Sequence, residues 1–216
     1  MTTGKNNRLI VLLIAGIPVT MILAATWLWF FVVRGELDLI GTLGTANRGE
    51  LVQPPRQFAE AGLELADGKA FEFAELEPKW SFVIPNKGDT CAKECESLLY
   101  TARQIHMAMG KELGRIQRFY VATERPGDTE LRVSVLSDNH PLPAGFADYL
   151  TQEHIGLQAL HASPAVFEQL FSEHLAAPDT WYLVDPAGWI MMSYDDSVPY
   201  KDVIADLKFL LKNSSD

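Results

Sequence analysis

Apolar and polar positions divide the chain into three stretches. Leu9 to Val33 is an uninterrupted apolar run without a charge. As a helix rising ~1.5 Å per residue, it is long enough to cross a hydrocarbon core of ~30 Å. Gly16 and Pro18 are tolerated in such a helix. Residues 34–57, with Gly41, Gly44, Gly49, Pro54 and Pro55, show no sustained period and read as a tether. From Phe58 onward the pattern becomes regular. Leu63-Glu64-Leu65 and Phe71-Glu72-Phe73 flank Asp67-Gly68 and predict a hairpin. Trp80 to Ile84 predicts a buried strand ended by Pro85. Asp89 and Thr90 are caps for a helix whose Leu98, Ala102, Ile105 and Met109 recur at helical spacing. Arg118 to Ala122 predicts the next strand, and a long irregular stretch follows it. Ser163-Pro164 opens a helix to about His174. Trp181–Val184 and Trp189–Met192, joined by Asp185-Pro186-Ala187-Gly188, predict a second hairpin. An amphipathic helix from about Tyr200 to Leu211 closes the chain. Strands alternating with helices argue for an α/β architecture with a mixed central sheet.

The apolar run has a competing reading as a cleaved signal peptide. Such a region is shorter and ends in a small-x-small site, whereas this run ends in Trp27, Trp29, Phe30 and Phe31, which suit an interfacial aromatic belt. The expectation is an uncleaved anchor over 9–33, after a short tail of residues 1–8. Lys5 and Arg8 precede the run, while Arg34 is followed at once by Glu36 and Asp38. The positive-inside rule then keeps the N-terminus in the cytoplasm and exports the rest. The tail is too short for a mitochondrial transit sequence, so the expected site is a bacterial inner membrane with the domain, 58–216, in the periplasm. That compartment is oxidising.

The net charge is −10, with 28 acidic residues against 18 basic ones. All the acidic residues follow the apolar run, so the exported part is strongly acidic. Such a surface repels phosphate backbones, which excludes nucleic acid as an expected partner.

The chain has two cysteines, Cys91 and Cys95. They fall just after a predicted strand and at the start of a predicted helix, where an i, i+4 pair shares one face. A helix N-terminus lowers the pKa of a nearby thiol. Two chemistries fit, namely reversible disulfide exchange and binding of a soft metal, copper(I) first. The plain alternative is a stapling disulfide, but so short a closed loop constrains the unfolded chain little. Glu94 and Glu96 are near enough to take up protons, or are simply acidic residues in a first helical turn. No glycine-rich phosphate loop, H-E-x-x-H or G-x-S-x-G sequence is present.

The C-x-x-x-C pair after a strand beginning near Trp80, the Tyr182–Gly188 hairpin, Glu124-Arg125-Pro126-Gly127-Asp128-Thr129 and Ile155-Gly156-Leu157 together resemble the Sco/SenC family. These are membrane-anchored, thioredoxin-fold cytochrome oxidase assembly proteins, and the resemblance covers most of residues 58–215. It implies a thioredoxin-like fold with one N-terminal transmembrane helix. It also implies copper delivery or thiol reduction through Cys91 and Cys95, with a cytochrome oxidase subunit or another assembly factor as partner. The sequence departs from the family at Pro85-Asn86-Lys87-Gly88-Asp89-Thr90, which replaces an aromatic-glycine stretch, and in lacking prolines in the cysteine motif. The family's ligand histidine would fall near Ala177. His174, three residues away, is the candidate third ligand, and its alternative is a solvent-facing residue at a helix end. His106, His140, His154 and His161 are expected to be without function, the last three solvent-exposed. Pro178 stands beside Asp179, where thioredoxins carry a cis-proline. In the redox version Cys91 attacks and Cys95 resolves. The alternatives are a general periplasmic thiol-disulfide oxidoreductase and a non-catalytic thioredoxin-like protein that binds a partner.

Overall fold

The computed structural model describes residues 3–33 and 47–214. The chain divides into two units, the first ending at Ala46. In the first, Thr3–Val33 forms one 31-residue helix, α1, with Pro18 inside it. The Thr20 and Thr26 hydroxyls donate to the carbonyls of Ile17 and Ile22, at 2.9 and 2.8 Å, and so satisfy themselves on their own helix. Ile14, Met21 and Ile22 stand 69%, 69% and 65% exposed. Among the described residues no helix is long and apolar enough to cross a membrane, so the spanning role expected of 9–33 is carried forward as a proposal. Residues 34–46 of the expected tether lie outside the described residues.

The second unit runs β1 (Glu50–Gln57), β2 (Glu64–Leu65), β3 (Trp80–Asn86), β4 (Thr90–Cys91), α2 (Lys93–Ala108), β5 (Ile116–Ala122) and β6 (Glu130–Leu131). It continues with α3 (Phe146–Glu153), β7 (Leu157–His161), α4 (Pro164–Leu170), α5 (Ser172–Ala176), β8 (Trp181–Val184), β9 (Trp189–Tyr194) and α6 (Tyr200–Asn213). Seven strands form one mixed sheet in the order β1-β9-β8-β3-β5-β7-β2. Strands β3, β5 and β7 are parallel, and β8, β9, β1 and β2 join antiparallel. Every residue of β3 is buried, as a strand covered on both faces must be. Alternation sends Phe82 and Ile84 to one face, with Leu99 and Ile105 of α2 and Leu207 of α6. It sends Val83 to the other face, with Phe58, Phe73, Phe119 and Phe167. Each such side chain contributes ~1.5–3 kcal/mol by leaving water.

The predicted hairpin at 181–192 forms as expected, and Gly188 makes its turn at φ +85°. The Gly188 carbonyl accepts from the amides of Phe58 and Ala59 at 2.8 and 3.2 Å, so the turn also seats the chain leaving β1. A Cβ on residue 188 would lie 2.4 Å from that of Ala59. Gly188→Ala is therefore expected to cost about 2–3 kcal/mol, from left-handed strain plus overpacking. Urea unfolding measures it, and a change below 0.5 kcal/mol on the ordinary surface scale would contradict this account of the turn.

Four expectations need correction. Residues 50–57 are not tether but an edge strand on β9, pairing Glu50 with Ser193 and Gln57 with Trp189. Pro54-Pro55 falls in the irregular register between Leu51 and Arg56, because an edge strand tolerates residues that cannot donate to a ladder. The turn at Asp67-Gly68 forms, with the Gly68 amide on the Leu65 carbonyl at 2.9 Å. Its second arm pairs only briefly, through a Glu64–Ala70 bridge and the Phe71 amide on the Leu63 carbonyl at 2.8 Å, before a 3-10 turn at Phe73–Glu75, and β2 also pairs with β7. The stretch left irregular contains β6, α3 and β7. Asp89 and Thr90 do not cap α2, which starts at Lys93 behind Ala92 with no side-chain cap.

Candidate functional site

Cys91 and Cys95 are joined by a disulfide. They do not share a helical face as expected, because Cys91 belongs to β4 and only Cys95 lies in the first turn of α2. The reason is long-range. Thr90 and Cys91 pair with Glu130 and Leu131 of β6. The Glu130 amide donates to the Asp89 carbonyl at 2.7 Å, and the Arg132 amide to that of Cys91 at 2.9 Å. On the other side, Asn86 Nδ2 donates to the Thr90 carbonyl at 3.3 Å, and the Gly88 amide to Thr123 Oγ1 at 2.8 Å. Cys91 is fully buried and Cys95 is 6% exposed.

A cleft of about 330 Å³ opens here, lined by Asn86, Lys87, Glu94, Cys95, His174 and Pro178 among others. The sequence-predicted Cys95 and His174 thus line one cleft. Cys91 lies behind Cys95 at the other end of the disulfide. His174 does not face solvent as a helix-end residue; it is 6% exposed in α5. Its backbone amide donates to the Tyr182 hydroxyl at 3.0 Å, which in turn donates to Glu173 Oε2 at 2.9 Å. Its ring stands edge-on to Phe167 at 6.0 Å. Nδ1 lies 3.0 Å from the Thr180 carbonyl. A carbonyl can only accept, so Nδ1 carries the proton and Nε2 holds the lone pair. Burial lowers the His174 pKa, with the Thr180 bond and Asp179 pulling the other way. Burial thus favours the neutral imidazole, the form a metal requires. The peptide bond before Pro178 is trans.

Other expected residues separate from the cleft. Glu96 is buried, and its carboxylate accepts from the Ser137 amide (2.9 Å), the Ser137 hydroxyl (2.6 Å) and the Tyr149 hydroxyl (3.3 Å). It is an anchor for the 130–153 segment and is not positioned as a proton acceptor for the thiols. Glu94 is exposed at the cleft wall. His106 lies on α2 with Nε2 3.0 Å from the Leu113 carbonyl. His161 is half-buried at the end of β7. His154 is not exposed as expected but 1% exposed, because α3 lays it edge-on to Tyr149 at 4.7 Å. His140 meets Asp138 and Glu153, and these three are the group of potential metal donors within 4.8 Å of one another among the described residues. The Arg103 guanidinium already pairs with both carboxylates, so this is an ion-pair network. No local pattern announces it, because its members come from α2, α3 and the connecting segment.

A mixed sheet of this kind is what comparison with known proteins also finds. Residues 80–214 match the family model for the transmembrane-like, thioredoxin-like C-terminal domain. The chain belongs to this family. No match is found among curated protein sequences. Of solved structures, yeast Sco1 with copper bound aligns at TM-score 0.51 and 16% identity, over 80% of this chain and 97% of that one. Copper-bound ScoI of Arabidopsis thaliana aligns at 0.50 and 14%, over 77% and 99%. Apo Sco1 of Thermus thermophilus aligns at 0.50 and 17%, over the same shares. At these identities the likeness is one of fold. The thioredoxin-like domain expected from sequence is thus present, and the cysteine pair of this family member lies on it.

Proposed function

We propose that this chain is a membrane-anchored, Sco-like accessory protein for cytochrome oxidase assembly. It would hold and pass on copper(I), its cargo, through Cys91, Cys95 and His174, or use the same cysteines, once reduced, to reduce a partner's disulfide to thiols. The observation that carries this reading is the shared cleft of Cys95 and a buried His174 whose Nδ1 is already bonded to the Thr180 carbonyl, leaving Nε2 for a metal. Two thiolates and an imidazole form a donor set suited to copper(I). The likeness in fold to copper-bound Sco proteins supports it. In the same proposal, residues 9–33 span a bacterial inner membrane and the domain is periplasmic.

Copper requires the disulfide to open first. Cys95 lines the cleft while Cys91 is fully buried, so a partner thiolate enters at Cys95, the reverse of the order expected from sequence. The partner sulfur bonds to Cys95 Sγ, the Cys91–Cys95 bond breaks, and Cys91 leaves as thiolate. A second partner thiolate then breaks the mixed disulfide. The partner is left oxidised and both cysteines reduced. A redox-only reading is favoured by the disulfide itself, and the same measurement separates the two.

The test is copper(I) binding by the reduced full chain in detergent, in competition with a chromophoric chelator. One copper per chain is expected, with binding lost in Cys95→Ser. His174→Gln should weaken it by more than about 100-fold, since even partners one step removed from a metal matter by about 10–100-fold. Binding no tighter than that of a short dithiol peptide would leave the redox reading, to be measured as the reduction potential of the pair.

A further inference from the structure

Arg118 is a charged residue in a core position. Alternation along β5 places it on the same face as Ile116 and Tyr120, both in the core beneath α2. Its neighbours across the ladders are Phe82 and Leu157. It is 4% exposed. Of its donors, Nη2 reaches the Ile155 carbonyl at 2.8 Å, while Nε and Nη1 are buried and donate to nothing. A buried guanidinium without a counter-charge is costly, and buried charges are ordinarily paired.

Among the described residues the surroundings supply no such partner. Asp138 and Glu153 are committed to Arg103, and Glu153 is also bonded to His140 Nδ1 at 3.0 Å. Arg103 itself repels Arg118, and burial with that repulsion lowers the Arg118 pKa to about 10, which still leaves it charged at neutral pH. His106 and His154 face it from α2 and the end of α3, and burial lowers the pKa of both. Arg118 lines a cavity of about 540 Å³ together with Arg103, Gln104, His106, His140 and Gln152, and with Asp138 and Glu153, whose charges the Arg103 guanidinium offsets. That volume lies in the range of small-molecule sites. The side chains around it are rich in N–H donors, and planar bidentate groups are what arginine recognises best.

We infer that this cavity, which neither cysteine lines, is a binding site for a small molecule bearing a carboxylate or phosphate, with Arg118 as its counter-ion. The anion offsets the guanidinium charge from the cavity side, where Gln104 and Gln152 are further lining residues.

The test uses the oxidised full chain in detergent, so that no result depends on copper or thiol chemistry. Unfolding temperature and titration calorimetry are followed with inorganic phosphate, acetate and citrate, against sodium chloride at matched ionic strength. A saturable rise with one of these anions, absent in Arg118→Met, is expected, and the anion that gives it distinguishes phosphate from carboxylate. Because Arg118→Met alters the core, the second variant is the surface pair Gln104→Glu with Gln152→Glu, both exposed positions. It should keep the fold and weaken binding by about tenfold through repulsion from the cavity lining. No response beyond that to chloride, or an equal response in Arg118→Met, would overturn the site and leave Arg118 solvated by buried water.

Discussion

Lowering the pH from 7 to 5 is expected to destabilise the wild-type chain by about 2 kcal/mol more than it destabilises His154→Leu, by proton linkage. His154 is 1% exposed, and neither ring nitrogen has a partner. Burial pushes its pKa down to about 3, with Arg103 and Arg118 adding repulsion and Asp138 opposing them. An unfolded histidine titrates near 6.5. Below that value the unfolded chain takes up a proton that the folded chain refuses, so stability falls as pH falls. The slope is about 1.4 kcal/mol per pH unit at most and levels off near the folded pKa. His106 and His174 are shifted the same way by burial, but they are common to both proteins and cancel in the difference. Urea unfolding at pH 7, 6 and 5, followed by tryptophan fluorescence, reads it. Parallel curves for the two proteins would mean that the folded chain accommodates the proton, and the account of His154 would fail.

Asp206→Ala is expected to cost about 3–5 kcal/mol, the scale for leaving several buried donors without their charged acceptor. Asp206 is 5% exposed on α6. One of its oxygens accepts from the amides of Arg48 and Gly49, at 2.8 and 3.1 Å, and from the Tyr194 hydroxyl at 3.3 Å. The Tyr194 ring covers Gly49 so closely that a Cβ there would lie 2.5 Å from it, and it stacks on Trp181 at 4.9 Å. One carboxylate therefore fixes the start of β1, the end of β9 and the middle of α6 together. Hydrogen exchange adds a local readout, because the amides of Arg48, Gly49 and Leu51 should lose protection before those of β3. A loss under 1 kcal/mol with those amides still protected would show that β1 is held by its ladder alone.

The elements legible in the sequence are those whose pattern is local. Trp80–Ile84, the hairpin through Gly188 and the closing helix carry their own period or turn chemistry, and each forms where expected. Ser163 accepts from the Val166 amide at 3.4 Å, as a cap should. What was hidden depends on partners far along the chain. Pro54-Pro55 reads as linker until β9 supplies an edge to lie on. Glu130–Leu131 has no pattern at all, being a strand only because Thr90–Cys91 lies beside it. At the site, the cysteines stood out as the two sulfurs that could meet. The burial of His174 did not, because it arises from Tyr182 and Phe167 closing over a short helix.

The two-residue ladder between β4 and β6 also separates the fates of the two sulfurs. Cys91 is tethered by its backbone to the 130–132 segment, whereas Cys95 moves with α2. Severing the S–S bond therefore uncouples a fixed post from the tip of a rod. Glu96, gripping Ser137 one residue further on, is the remaining hinge pin between them. Opening the bond would thus shift the mouth of the cleft through residues 92–95, and the strand that carries Cys91 would stay in place.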